Sequence, residues 1–177
     1  HAEAGSYGYA AAGARANIAR GKWNNQLSGG YTRSDGYSRN KAGGLNADFS
    51  GGKSFYQGNY TDDDMIVKWH AGVSTKDFGS NTFYGVKWDD QFEHVTKTFT
   101  AIQAENRRGR FRIKPSIYWN RTADRFELFR NAPEKSKFNY HRSDVFGVNI
   151  NSYFDWALGR TAIGAELRNE DVISTSL

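Results

Sequence analysis

Three groups of side chains in this 177-residue sequence are of the types that chemistry needs. Asp62-Asp63-Asp64 offers hard oxygens of the kind calcium prefers. It lacks the Gly and Glu of an EF-hand loop and sits between two strand-like runs, where Asp normally caps a turn. The histidines are His1, His70, His94 and His141, and no two share a metal-ligand spacing such as i, i+2 on a strand beside a carboxylate. His70 falls on the polar face of a strand. His141 falls at a loop–strand junction, where solvation and ligand contact are both open readings. Asp89-Asp90, Glu93 and the Asp124/Glu127 pair have the groups for acid–base work, but nothing in the sequence brings them together. There is no Cys, hence no thiolate ligand, thiol nucleophile or disulfide. Gly29-Gly30 lies inside a strand-like run with no following helix and no Lys-Ser/Thr, unlike a phosphate-binding loop. No Ser/His/Asp arrangement is defensible either. Neither a catalytic residue, a metal site nor a cofactor is expected, and the chain does not read as an enzyme.

Recognition is a better prospect. Tyr37, Asp77, Phe78, Asn81, Phe83, Tyr84, Trp88, Phe126 and Phe129 all fall in long connecting segments. Rings supply contact area while Asn and Asp fix orientation, which suits a bulky, partly apolar small-molecule nutrient. A plainer reading is equally physical: the same rings pack the loops against one another.

The elements that must position these residues are written in strict alternation of apolar and polar residues, the period of a β-strand. Trp23, Leu27 and Tyr31 alternate with Asn24, Gln26 and Ser28; Met65, Val67, Trp69, Ala71 and Val73 with Ile66, Lys68 and His70. Phe111, Ile113, Pro115, Ile117 and Trp119 alternate with Arg112, Lys114 and Ser116; Ile163, Ala165 and Leu167 with Ala162, Gly164 and Glu166. Together with runs over 6–20, 53–60, 92–105 and 144–156, the pattern predicts eight strands. Short connections at 21–22, 61–64, 106–109 and 157–159 alternate with long ones at about 33–52, 75–91 and 121–143. That is the pattern of an all-β, antiparallel up-and-down sheet with tight turns at one end and long loops at the other.

Composition agrees. The 19 Gly and 27 aromatics, with only 2 Pro, are not a disorder profile. A mean hydropathy of −0.76 suits a β protein in which half the side chains face something polar. The net charge of +5 comes from scattered cations, and only Arg107-Arg108-Gly109-Arg110 clusters, so nucleic acid is not expected as a partner. No run approaches the length of a membrane-spanning helix, and the first residues lack the regions of a signal peptide. A soluble up-and-down barrel shares the alternation. A transmembrane barrel is favoured by aromatics near strand ends (Trp23, Tyr31, Tyr60, Trp69, Trp119, Trp156) and by full charges in mid-strand at Lys68, Lys114 and Glu166, which a small dry core would hold at high cost. Outer-membrane lipid is then a partner. Eight strands can close a small barrel. The abrupt start and finish, both on the long-loop side, instead suggest one partial barrel domain spanning 1–177, cut from a larger sheet with two exposed edges prone to self-association.

Several segments taken in order resemble TonB-dependent outer-membrane receptors of Bacteroidetes type, often labelled cobalamin or siderophore receptors. They are 28–37 (SGGYTRSDGY), 55–58 (FYQG), 76–85 (KDFGSNTFYG), 91–93 (QFE), 124–130 (DRFELFR), 139–145 (NYHRSDV) and 164–174 (GAELRNEDVIS). The resemblance implies a 22-stranded barrel enclosing a plug domain, with uptake of a metal chelate, a cobalamin-like molecule or a glycan. It also implies coupling to TonB through a plug that these 177 residues do not contain, and a place for this chain among the early barrel strands. The alternative from the residues alone is a complete eight-stranded outer-membrane barrel acting as an anchor or adhesin.

Overall fold

The computed structural model describes residues 1–37, 46–80 and 90–175. All eight expected strands are present, and a short one precedes them: β1 (Ala2–Ala4), β2 (Ala10–Arg20), β3 (Trp23–Ser34), β4 (Phe49–Thr61), β5 (Met65–Gly79), β6 (Phe92–Asn106), β7 (Phe111–Glu127), β8 (Asn139–Trp156) and β9 (Gly159–Ser174). They form one antiparallel sheet in sequence order, β1 to β9. Residues 6–9, expected within the first long strand, instead make the β1–β2 turn, in which Tyr7 and Gly8 both take positive φ.

The register puts residues of one chemistry in one row. The row Asn24–Asn59–Lys68–Gln103–Ser116–Asn149–Glu166 crosses seven strands and is polar throughout. The next row points to the other face and reads Asn25–Gly58–Trp69–Ile102–Ile117–Val148–Leu167. A one-residue slip anywhere would exchange the two faces of a strand, so this pattern is what specifies the register.

The rows also give the strand tilt. Trp23 lies one residue beyond Asn24 toward the tight turns, whereas Gly159 lies seven beyond Glu166, an offset of six residues across six strands. One residue of rise against one inter-strand spacing is a tilt of about 35°, the slant of barrel strands. On β7 the apolar face runs from Phe111 to Trp119, nine residues, and then turns polar at Arg121, Arg125 and Glu127. At this tilt nine residues rise about 25 Å, the height of a barrel's lipid-facing band. Strands growing from 11 residues in β2 to 18 in β8 carry the sheet well past that band. For this reason β4, β5, β7 and β8 take in residues that the sequence places in long loops, at 49–52, 75–79, 121–127 and 139–143.

Aromatics mark both edges of the band. Trp23 packs against Tyr60 and Trp69 at the turn end, with ring centroids 4.8 and 5.9 Å apart. At the loop end Trp119 Nε1 donates to Asp144 (3.1 Å), which also holds Arg121 in a bidentate pair at 2.7 and 3.2 Å. Among the described residues the apolar face has no second layer: Ile163 is 70% and Leu167 79% exposed. An apolar surface of this extent is a contact surface.

Three cross-strand partners join a glycine to a ring: Gly58 to Trp69, Gly72 to Phe99 and Gly147 to Tyr118. A Cβ on Gly147 would lie 2.2 Å from the Tyr118 ring, and on Gly72 2.5 Å from Phe99. These rings lie flat over the glycines and pin the register.

Candidate functional site at the long-loop end

The chemistry-bearing residues gather where the three long loops meet. Arg130, in the β7–β8 loop, reaches back to the segment before β4. Its Nη1 and Nη2 donate to the two oxygens of Asp48 at 2.6 and 2.9 Å, and Nη1 also reaches Asn46 Oδ1 at 3.2 Å. Its guanidinium lies 4.3 Å from the centre of the Phe92 ring, and its amide donates to the Asp90 carbonyl. Asn46 Nδ2 and the Ser80 amide both donate to the carbonyl of Gln91. All three loops are thereby tied into one knot around a single guanidinium, a planar fork that suits bidentate pairing. Hydrogen bonding from Arg130 holds the Asp48 carboxyl below the usual carboxylate range, and the same contact raises Arg130. Beneath the knot Glu127 is fully buried, accepting from the Asn131 amide at 2.7 Å and lying 2.8 Å from Arg125 Nε. Asn131 takes φ 57°, a left-handed conformation that Asn tolerates.

The expected recognition residues divide by face. Asp77 and Phe78 belong to β5 and Phe126 to β7, not to loops, because these strands outrun the apolar band. Phe78 and Phe126 share the polar face in the row Ser34–Phe49–Phe78–Glu93–Phe126–Asn139, where they flank Glu93 and stand in line with Phe49. Asp77 is on the other face, 2.6 Å from His94 Nδ1, with Thr96 against the second ring nitrogen. Tyr37 stacks on Tyr7 of the β1–β2 turn at 5.0 Å, and Lys135 Nζ lies 5.7 Å from the Phe129 ring. Asn81, Phe83, Tyr84, Trp88 and Asp89 lie outside the described residues. A groove of about 600 Å³ at the β9 edge is lined by Pro133, Lys137, Phe138, Asn139, Tyr140 and Thr175.

Other candidates resolve on geometry. Asp124 and Glu127 are three apart on one strand and so face opposite sides. His70 faces the polar side beside Phe55 and Phe99, and His141, within β8 rather than at a junction, meets the Ser174 hydroxyl at 2.8 Å. Asp62 caps its turn, accepting from the Asp64 and Met65 amides at 2.9 Å each. The Arg-rich turn sits beside it, with Arg108 reaching Asp63 and Asp64 and Arg107 donating to the Asp62 carbonyl. The Arg130–Asp48 tie, spanning 82 positions, left no local signal in the sequence.

Taken together, an antiparallel up-and-down sheet with barrel tilt, a band-height apolar face and a charged opposite face has the architecture of a stretch of β-barrel wall. Among solved structures it superposes on the FrpB iron transporter from Neisseria meningitidis (F5-1 variant, apoprotein form) with a TM-score of 0.77 at 14% identity, over 96% of this chain and 28% of that one. It superposes on the copper transporter OprC with a TM-score of 0.71 at 12% identity, over 97% of this chain and 27% of that one. No family model and no curated protein matches the sequence. The chain thus spans little more than a quarter of the transporters it resembles, and the likeness is one of fold.

Proposed function

We propose that these residues are part of the wall of an outer-membrane, TonB-dependent receptor that takes up a scarce nutrient, with the apolar face toward lipid and the polar face toward the lumen. The observation that carries this reading is the sheet itself. Nine strands follow one another at barrel tilt with one apolar band, and β1 and β9 do not meet among the described residues. The whole protein supplies the remaining strands, a lumen-filling plug and, through it, contact with TonB. The wall's own contribution is the loop-end rim, with Tyr37, Phe78, Phe126 and Phe129 facing the arriving solute; Asn81, Phe83, Tyr84 and Trp88 are further candidates for its recognition by residue type. Asp77, paired with His94 on the lipid side, steadies the rim. Of the nutrient classes that such receptors take, a metal-bearing chelate fits best with the iron and copper transporters that share the fold.

The test is the mass of the native polypeptide in outer-membrane fractions, detected with an antibody against this segment. Transporters of the aligned kind are more than three times the length of this 20.0 kDa chain, so the band is expected above about 60 kDa. A band near 20 kDa would overturn the reading and leave a small self-contained barrel acting as an anchor or adhesin.

A further inference from the structure

On the apolar side of the sheet, at its loop end, three side chains stand in an order that chemistry uses. Asp77 of β5 is opposite His94 of β6 in the register, and Thr96 follows two residues on along the same face. The Asp77 carboxylate lies 2.6 Å from His94 Nδ1, and Thr96 Oγ1 lies 3.2 Å from His94 Nε2. An ionised carboxylate only accepts, so it keeps the proton of the neutral imidazole on Nδ1 and leaves Nε2 as an acceptor. The Thr96 hydroxyl then donates to Nε2. Carboxylate, imidazole and hydroxyl are thereby linked as orienting group, base and nucleophile, each on the ring nitrogen that a hydrolytic triad requires. Asp77 and His94 are 17 positions apart, so only the register brings them together.

The position of the trio names its substrate. Thr96 is the member nearest the apolar band, paired with Thr75, and the next row toward the band holds Val73, the last apolar side chain on that face of β5. Two residues of rise at this tilt set Thr96 about 5 Å beyond Val73, in the polar layer bordering hydrocarbon, where the ester links of acyl chains lie. The side chains are open to that layer, His94 being 35% and Asp77 40% exposed. Arg125 faces His94 across the β6–β7 pair and Thr75 faces Thr96, so a guanidinium and a hydroxyl stand alongside as donors to a developing oxyanion. Resting on the reading of this face as the lipid side, we infer that Asp77, His94 and Thr96 form a hydrolase site for the carboxylic ester of a membrane lipid. Thr96 Oγ1 attacks the ester carbonyl carbon while His94 Nε2 takes its proton. The tetrahedral adduct expels the lipid alkoxide, which receives that proton, and the acyl chain stays esterified to Thr96. Water, giving a proton to His94, attacks the acyl-threonine carbonyl. Thr96 then leaves, recovers its proton from His94, and a fatty acid is released.

The experiment uses the purified full-length protein in two sets of mixed detergent micelles, one with diacyl phosphatidylethanolamine and one with hexa-acyl lipid A. Released fatty acid is measured by mass spectrometry. Release is expected from at least one set, and the set that reacts identifies the lipid supplying the ester. An alkyl fluorophosphonate, which captures activated hydroxyls, is expected to label the wild-type protein at Thr96, located by peptide mass. Thr96→Val, of the same shape without the hydroxyl, and Asp77→Asn are each expected to slow release about a hundredfold or more, with Thr96→Ser staying within about tenfold of wild type. Heat-modifiable migration checks that each variant is a folded barrel, and the wild-type label keeps the test decisive if one is not. No fatty acid from either lipid, release unmoved by Thr96→Val, or labelling away from Thr96 would overturn the site. The barrel-wall reading is judged separately, by the mass in the membrane fraction, and does not depend on this activity.

Discussion

Arg130 shows how one side chain can hold a rim together. It is 30% exposed and its partner Asp48 37%, so solvent screens the pair and its net worth is about 1 kcal/mol. Its effect is topological, because among the described residues no other guanidinium is seen to touch both the pre-β4 segment and the β6 entry. Arg130→Met is expected to leave the sheet intact and to raise protease cleavage within 46–48 and 128–132 severalfold, with Asp48→Asn giving a smaller change of the same sign. Because Asp48 is depressed in the folded state, its contribution is complete above about pH 4 and is lost as pH falls through its folded value. The rim should therefore loosen in acid before the strands do, seen as early exchange of the Arg130 amide. The glycine–ring pairs make a second residue-scale prediction. Gly147→Ala drives a Cβ against Tyr118 and is expected to destabilise by about 1–3 kcal/mol in urea unfolding. Removing the ring as well, in Gly147→Ala/Tyr118→Ala, should recover part of that loss, whereas a purely backbone effect of alanine would not be recovered.

At the scale of the element, the tight turns are chemically specified and the long loops are not. Asp62 is held down to about 2 by the Met65 amide first and the Asp64 amide second. A folded value below the ordinary 3.8 means that the turn gains stability above about pH 4 and loses it between about pH 4 and 2. Titration of the Asp62 carboxyl by NMR is expected to show a midpoint near 2, and Asp62→Ala to abolish acid sensitivity in that turn alone. Arg108, two-thirds exposed, should be replaceable without measurable effect. The same contrast accounts for what the sequence made legible. Alternation through Trp23–Thr32, Met65–Ser74 and Phe111–Asn120 is local, and so are an Asx turn at Asp62 and a glycine turn at Gly21. The upper reaches of β5, β7 and β8 are not local in this sense. Past Val73, Trp119 and Phe146 polar residues occupy most positions on both faces, alternation fades, and Asp77, Phe78 and Phe126 read as loop although the ladder continues through them. The short β1 carries no alternation that three residues could display.

For the whole molecule, the decisive feature is the pair of sheet edges. Every residue of β9 but the last is exposed, and among the described residues one row of its backbone N–H and C=O groups has no strand to meet. Long flat edges are templates for pairing, and natural sheets shorten, charge or cover them. β9 is neither short nor, among the described residues, covered: it has 16 residues, with Ile163, Leu167 and Ile173 on its apolar side, and of its charges Arg160, Glu166, Arg168 and Glu170 lie on the polar face. In hydrocarbon each unmet polar group costs several kcal/mol, so such an edge is tenable only when another strand adjoins it. Hydrogen exchange measured residue by residue in the full-length protein should therefore find the amides of Gly159–Ser174 as protected as those of β5. In residues 1–177 refolded alone, alternate β9 amides should exchange within seconds, or the chain should assemble through that edge into species larger than 20.0 kDa. Fast exchange at alternate β9 positions in the native protein would mean that the wall ends there, and with it the case for a larger barrel.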